Sequence, residues 1–86
     1  MKLENKVAIV TGGGKGIGAE ISLRLAQEGA KIVIAEMDVE SGKNIQKKIK
    51  ENKGEAIVIN TNVADEISVN KMADETINKF SKNDIL

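Results

Sequence analysis

The sequence of 86 residues contains no histidine, cysteine, tyrosine, tryptophan or proline. The first three are the commonest general base, the thiol nucleophile and the phenolic acid. Imidazole and thiolate are also the usual ligands of transition metals, so no metal site is expected. Any catalytic side chain in this chain would be Asp, Glu, Lys, Ser or Thr.

An excess of charge of one sign is also lacking, because thirteen basic side chains balance thirteen acidic ones. Such a chain has no long-range field for nucleic acid or anionic lipid, and neither is expected as a partner. The apolar run Val7–Val10 is too short for a signal peptide, and no stretch is long enough to span a membrane. We therefore expect a single small cytoplasmic domain over residues 1–86.

Short apolar runs of strand length alternate with helical patterns along the chain. The predicted strands are Lys6–Thr11, Lys31–Glu36 and Glu55–Asn60, and Asp84–Leu86 begins a fourth. Strands that are apolar throughout and alternate with helices indicate a parallel sheet covered on both faces. The pattern predicts an α/β fold of three layers, in which one sheet lies between two layers of helices.

Three helices are predicted between these strands. The first ends near Gly29, and one of its faces is marked by residues at four-residue spacing: Ile17, Ile21 and Leu25. The second covers Ser41–Asn52, after a connection over Met37–Glu40. The third begins after an N-cap at Asp65 and runs to about Ser81. Its inward face is predicted to carry Val69, Met72, Ala73, Thr76 and Phe80.

Five of the eight glycines fall within residues 12–18, between the first strand and the first helix. A helix N-terminus offers unpaired N–H groups and a partial positive charge, which bind phosphate when the backbone can approach closely. Gly12 permits a sharp exit from the strand, Gly16 leaves room for a diphosphate, and Gly18 allows close packing of the helix. Glu36, at the end of the next strand, can accept hydrogen bonds from a ribose diol.

Two other interpretations of the glycines are a turn that only tightens the junction and a Walker A loop. The Walker A loop fails, because Gly14-Lys15 is followed by Gly16 rather than by Ser or Thr. The order of strand, glycines, helix and acidic residue favours a dinucleotide-binding site.

The segment TGGGKGIG, residues 11–18, resembles the T-G-x-x-x-G-x-G cofactor motif of the short-chain dehydrogenase/reductase family. KIVIAEMD resembles the family's second strand with its terminal acid, and NTNVADEISV and FSKNDIL resemble later segments. The resemblance covers the whole chain and implies a Rossmann-type sheet of strand order 3-2-1-4. Family members continue into a catalytic Ser and a Tyr-x-x-x-Lys motif, and neither is present here. The 86 residues therefore resemble the first third of such an enzyme and are expected to hold no catalytic residue.

The resemblance also implies which residues contact the cofactor. Those around the diphosphate and adenosine ribose are Gly12, Gly14, Lys15, Gly16, Ile17 and Gly18. Glu36 would hold the ribose hydroxyls, and Asn62 and Val63 stand where the family places Asp and Val beside the adenine. Asn62 departs from the pattern, and its uncharged amide oxygen makes a weaker acceptor. An ordinary polar residue at a strand end is the alternative for Asn62.

Glu36 favours NAD over NADP as the cofactor. Two unit charges 4 Å apart repel by about 4 kcal/mol at an effective dielectric near 20, which opposes a 2′-phosphate at this carboxylate. Lys15 acts in the opposite sense, because NADP-using relatives often carry a basic residue there, but exposed pairs contribute at most about 1 kcal/mol. Met37 supplies no further cation. NAD is therefore the expected cofactor and NADP the less favoured one.

Three functions remain open on the sequence alone. The resemblance implies an oxidoreductase that transfers a hydride between a nicotinamide cofactor and a carbonyl or alcohol substrate. Its complete form would take a small-molecule substrate and is compatible with a homo-oligomer. A nucleotide-sensing module without catalysis and a fragment without function are the alternatives. The first strand is also expected to expose an edge with few pairing partners, which predicts marginal stability.

Overall fold

The computed structural model of the chain describes residues 2–80 and 84–85. Strands and helices alternate along it as predicted. They are β1 (Val7–Thr11), α1 (Gly16–Gln27), β2 (Lys31–Glu36), α2 (Val39–Glu51), β3 (Ala56–Asn60) and α3 (Glu66–Lys79). Of the predicted fourth strand, Asp84 and Ile85 are described and Leu86 is not. The predicted helix end at Ser81 also lies outside the described residues.

The three strands form one parallel sheet in the order β1-β2-β3. Ile9 of β1 lies beside Val33 of β2, and Val33 lies beside Ile57 of β3. On the other edge of β1, Val7 forms an isolated parallel bridge with Ile85. This arrangement confirms the Rossmann-type prediction, with the first strand between the second strand and the segment near residue 85.

Alternate strand residues point to opposite faces of the sheet and fill two separate cores. One core packs strand residues such as Ile32 and Ile34 against α1 and α2, where Ile45 and Ile49 are buried. The other core packs a second set of strand residues against α3; its members include Val7, Val33, Ile59, Met72 and Phe80. Because the sheet is covered on both faces, its strands are apolar throughout, which is the pattern the sequence displays.

One prediction about the helices needs correction. The second helix begins at Val39, within the residues assigned to a connection, because the side chain of Asp38 caps it. On α1, Ile17 and Ile21 of the predicted face are 77% and 44% exposed, whereas Leu25 of the same face is partly buried and packs against the core. Leu23 packs against the same core, and Ser22 is fully buried.

The predicted inward face of α3 is confirmed at its central positions. Met72 and Thr76 are buried within the helix, and Phe80 is buried at its C-cap. Val69 is partly buried and packs against the same core. The N-cap at Asp65 is also confirmed, since its carboxylate accepts a hydrogen bond from the N–H of Ile67 at 3.0 Å.

The burial of Ile49 and the exposure of Ile67 predict unequal effects for the same substitution in two helices. Ile49→Ala removes a side chain that is 1% exposed, and we expect a loss of about 2–5 kcal/mol in the free energy of unfolding. The matched control is Ile67→Ala on α3, where the side chain is 69% exposed and the loss should stay within about 0.5 kcal/mol. Urea unfolding followed by circular dichroism measures both; equal losses would contradict this packing.

Candidate dinucleotide-binding site

The candidate site lies along one edge of the sheet. Because β1, β2 and β3 are parallel, their carboxyl ends and the loops that follow them lie on the same side. Thr11, Glu36 and Asn60 are the last residues of these strands. In open parallel sheets, ligands bind at this edge. The residues predicted to contact a cofactor all follow or end a strand here.

The loop between β1 and α1 follows a path that depends on its glycines. Gly12 and Gly16 have φ angles of +63° and +50°, in the left-handed region that favours glycine. A Cβ added at Gly16 would meet no atom within 4 Å, so open space lies beside this residue. A Cβ added at Gly18 would collide with the carbonyl of Gly12. The geometry therefore agrees with a loop that leaves room outside and packs closely inside.

Helix α1 begins without a side-chain cap. Its N-cap residue is Lys15, whose side chain makes no capping hydrogen bond, and its first turn contains no acidic residue. The N–H groups at the start of a helix have no acceptor within the helix. By contrast, α2 and α3 are capped by the aspartates Asp38 and Asp65. The first turn of α1 therefore presents unneutralised N–H dipoles beside the open space at Gly16.

Ser22 joins α1 to the glycine loop from within. Its side chain is fully buried, and its hydroxyl oxygen lies 2.9 Å from the carbonyl oxygen of Gly18 and 3.2 Å from that of Gly13. A hydroxyl has one hydrogen, so it donates to one of these acceptors at a time. The sequence analysis missed this residue, although a serine among apolar helix residues is a signal for such a contact.

Glu36 is buried, with 8% of its surface exposed, and its carboxylate contacts two loops. One oxygen, Oε2, accepts a hydrogen bond from the N–H of Gly14 at 3.2 Å. The other, Oε1, accepts one from the N–H of Asp38 at 3.2 Å. A carboxylate oxygen can accept more than one hydrogen bond, so both retain capacity for a ligand's hydroxyl groups. The prediction that Glu36 stands beside the glycine loop agrees with this geometry.

Asp38 is a site residue that the sequence analysis did not identify. Its Oδ1 accepts from the N–H of Ser41 at 3.2 Å, and its Oδ2 accepts from the Ser41 hydroxyl at 2.9 Å. The Lys15 ammonium lies 2.9 Å from the same Oδ2. The hydrogen bond from Lys15, followed by those from Ser41, lowers the pKa of Asp38 to about 2. The available signal was an aspartate just before a helical segment, because aspartate is a preferred N-cap residue.

Asn62 and Val63 lie on the loop after β3, and both are exposed. The side-chain oxygen of Asn62 accepts from the N–H of Ala64 at 3.0 Å, and the main-chain N–H of Asn62 donates to the Ser68 hydroxyl at 2.9 Å. The side-chain amide therefore stabilises the local turn, and its oxygen can still accept a second hydrogen bond. Within residues 2–80, no hydrogen bond joins Asn62 to the glycine loop, which lies two strands away.

Other kinds of site find little support in the described part of the chain. Among residues 2–80 and 84–85, no three acidic side chains come together as a metal-binding group. No helix in those ranges has the length and apolar character needed to cross a membrane.

Comparison with known protein families identifies the class of protein. The family described as short chain dehydrogenase matches residues 6–86, nearly the whole chain. The chain belongs to this family, whose members include oxidoreductases and dehydrogenases.

Two curated relatives illustrate this membership. An uncharacterized oxidoreductase of Thermotoga maritima is 44% identical over 84 residues, which cover 98% of this chain and 33% of the relative. A versicolorin reductase of Emericella nidulans is 40% identical over 86 residues, which cover 99% of this chain and 33% of the relative. The chain thus spans about a third of the length of these relatives.

Solved structures show the same fold. A hydroxysteroid dehydrogenase from Escherichia coli superposes with a TM-score of 0.93 at 33% identity, covering 99% of this chain and 36% of that one. A 7α-hydroxysteroid dehydrogenase complexed with NADH and 7-oxo glycochenodeoxycholic acid has a TM-score of 0.88 at 31% identity, covering 91% of this chain and 31% of that one. A metagenomic short-chain oxidoreductase in complex with NADP has a TM-score of 0.89 at 29% identity, over 93% and 36%. Both kinds of nicotinamide cofactor therefore occur among the neighbours.

The contacts of Asp38 predict how stability changes in acid. The folded pKa of about 2 lies below the ordinary value of 3.8, so the charged form is favoured in the folded state. This contribution is fully present above the ordinary value and is lost as the pH falls through about 2. NMR titration of the Asp38 carboxyl should give a midpoint near 2, and Lys15→Gln should raise it. A midpoint that Lys15→Gln leaves unchanged would contradict the ion pair.

Proposed function

We propose that this chain binds the adenosine and diphosphate part of NAD and belongs to an oxidoreductase that transfers a hydride between nicotinamide and a carbonyl or alcohol substrate. The observation that carries this proposal is the contact between Glu36 and the glycine loop. The Oε2 atom of Glu36 lies 3.2 Å from the nitrogen of Gly14, which supports a site where the carboxylate would accept from ribose hydroxyls beside a loop that would bind the diphosphate.

The residues present fit such a cofactor. The open space at Gly16 and the uncapped first turn of α1 suit a diphosphate, because helix N–H dipoles stabilise negative charge. The carboxylate of Glu36 suits a pair of ribose hydroxyls, since it accepts hydrogen bonds and donates none. Val63, on the loop after β3, is 62% exposed and would offer apolar surface to an adenine.

When bound, the nicotinamide ring would supply the hydride chemistry. This chain's own residues would bind and orient the other end of the cofactor. Membership of the short-chain dehydrogenase family favours the enzyme over a sensing module. A small-molecule substrate and, in the complete protein, a homo-oligomer are part of the same proposal.

NAD is proposed rather than NADP because Glu36 has little room to move away. The residue as a whole is 8% exposed, and both carboxylate oxygens accept from main-chain N–H groups. A 2′-phosphate in place of a ribose hydroxyl would meet this charge directly. Burial also reduces the screening that weakens repulsion between charges at the surface.

ADP-ribose and its 2′-phosphorylated form test the proposal, because they present the same base and diphosphate. Calorimetric titration of the chain should show binding of ADP-ribose at least about 10-fold tighter than binding of the 2′-phosphate, since about 1.4 kcal/mol corresponds to tenfold. Equal affinities would contradict the assignment of Glu36, and no binding of either would contradict the nucleotide site.

The variant Glu36→Gln tests the carboxylate itself. It removes the charge and should weaken ADP-ribose binding about 10-fold, since a hydrogen bond to a charged group contributes roughly 1.5–3 kcal/mol. Glu36→Gln should also reduce the difference in affinity between ADP-ribose and its 2′-phosphorylated form. The matched control, Glu55→Gln, makes the same chemical change just before β3, at the opposite edge of the sheet, and should leave both affinities unchanged.

A further inference from the structure

Three charged residues are linked where β2 ends. The Lys15 Nζ lies 2.9 Å from the Oδ2 of Asp38, and the main-chain N–H of Asp38 donates to the Oε1 of Glu36 at 3.2 Å. Asp38 thus holds the cation of the glycine loop with its side chain and contacts the carboxylate proposed to bind the ribose with its main chain.

We infer that Asp38 is a specificity-determining residue, which binds the Lys15 ammonium and so withholds that cation from a 2′-phosphorylated adenosine. The inference rests on the proposed function, because it concerns the choice between two forms of the same cofactor. Glu36 and Asp38 together would then distinguish the two forms of the nucleotide. Glu36 repels a 2′-phosphate, and Asp38 binds the Lys15 ammonium that would otherwise pair with that phosphate.

Asp38 is the anchored member of the pair. Its two carboxylate oxygens accept from the N–H and the hydroxyl of Ser41, so it cannot turn away without exposing the first turn of α2. Lys15 has a long side chain that is 63% exposed, whereas the Asp38 side chain is 40% exposed. The anchored carboxylate therefore determines where the more exposed ammonium lies.

A 2′-phosphate must compete with this carboxylate for the lysine. If it draws Lys15 away, the charge of Asp38 is left without its partner next to a dianion and close to Glu36. A ribose with a free 2′-hydroxyl requires no cation and leaves the pair intact. The pair should therefore weaken binding of the phosphorylated nucleotide and leave binding of ADP-ribose nearly unchanged.

The variant Asp38→Asn separates charge from capping. Asparagine caps helices about as well as aspartate, so α2 keeps its start while Lys15 is released. We expect the ratio of the two affinities to move toward the 2′-phosphorylated nucleotide by about fivefold, the scale of one exposed ion pair. Glu40→Gln removes an equal charge from the same first turn without a contact to Lys15, and it should move the ratio less than about twofold.

Lys15→Gln and the double variant Lys15→Gln with Asp38→Asn show whether the effect passes through the lysine. Calorimetry with both nucleotides should show that adding Asp38→Asn to Lys15→Gln shifts the affinity ratio only slightly toward the 2′-phosphorylated nucleotide. An unchanged ratio in Asp38→Asn, or a full gain in the double variant, would overturn the inference while leaving the cofactor proposal intact. Binding of neither nucleotide to the unaltered chain would overturn both.

Discussion

The carboxylate of Glu36 is the interaction on which the binding edge depends. A buried charge is tolerated only when hydrogen bonds replace the water it has lost, and here two main-chain N–H groups do so. One comes from the glycine loop after β1 and the other from the start of α2. The same contacts that stabilise the charge therefore join two loops that are separate in sequence. The pairing of β1 with β2 places the loops close enough for a single side chain to span them.

Most of the fold could be predicted from local patterns. Strands such as Lys31–Glu36 are short, apolar runs with glycine or polar residues at their ends, and their burial on both faces explains why no alternation appears. The start of α2 could not be read from apolar spacing, because it depends on hydrogen bonds between Asp38 and Ser41. An N-cap is a signal of one or two residues, and the periodicity of Ile45 and Ile49 carries no information about it.

The candidate site was predictable in part. The spacing of the glycines and the acid at the end of β2 indicated that Glu36 would lie near the loop, and the two are in contact. The ion pair of Lys15 with Asp38 was missed, since nothing in the spacing of two residues 23 positions apart predicts it. Four-residue spacing on α1 identified a helix face but not how deeply each of its residues is buried. Ile17 and Ile21 are exposed, whereas Leu25 packs against the core.

The contacts of the binding edge close over short distances along the chain. Glu36 reaches back only 22 residues to Gly14, and the cap at Asp38 needs nothing beyond Ser41. The bridge between Val7 and Ile85, by contrast, joins opposite ends of the sequence. Segments that are near in sequence meet sooner, because the entropy lost in closing a loop grows with its length. During synthesis on the ribosome, the contacts of Glu36 with Gly14 and Asp38 can thus form before Ile85, the bridge partner of Val7, has been added to the chain.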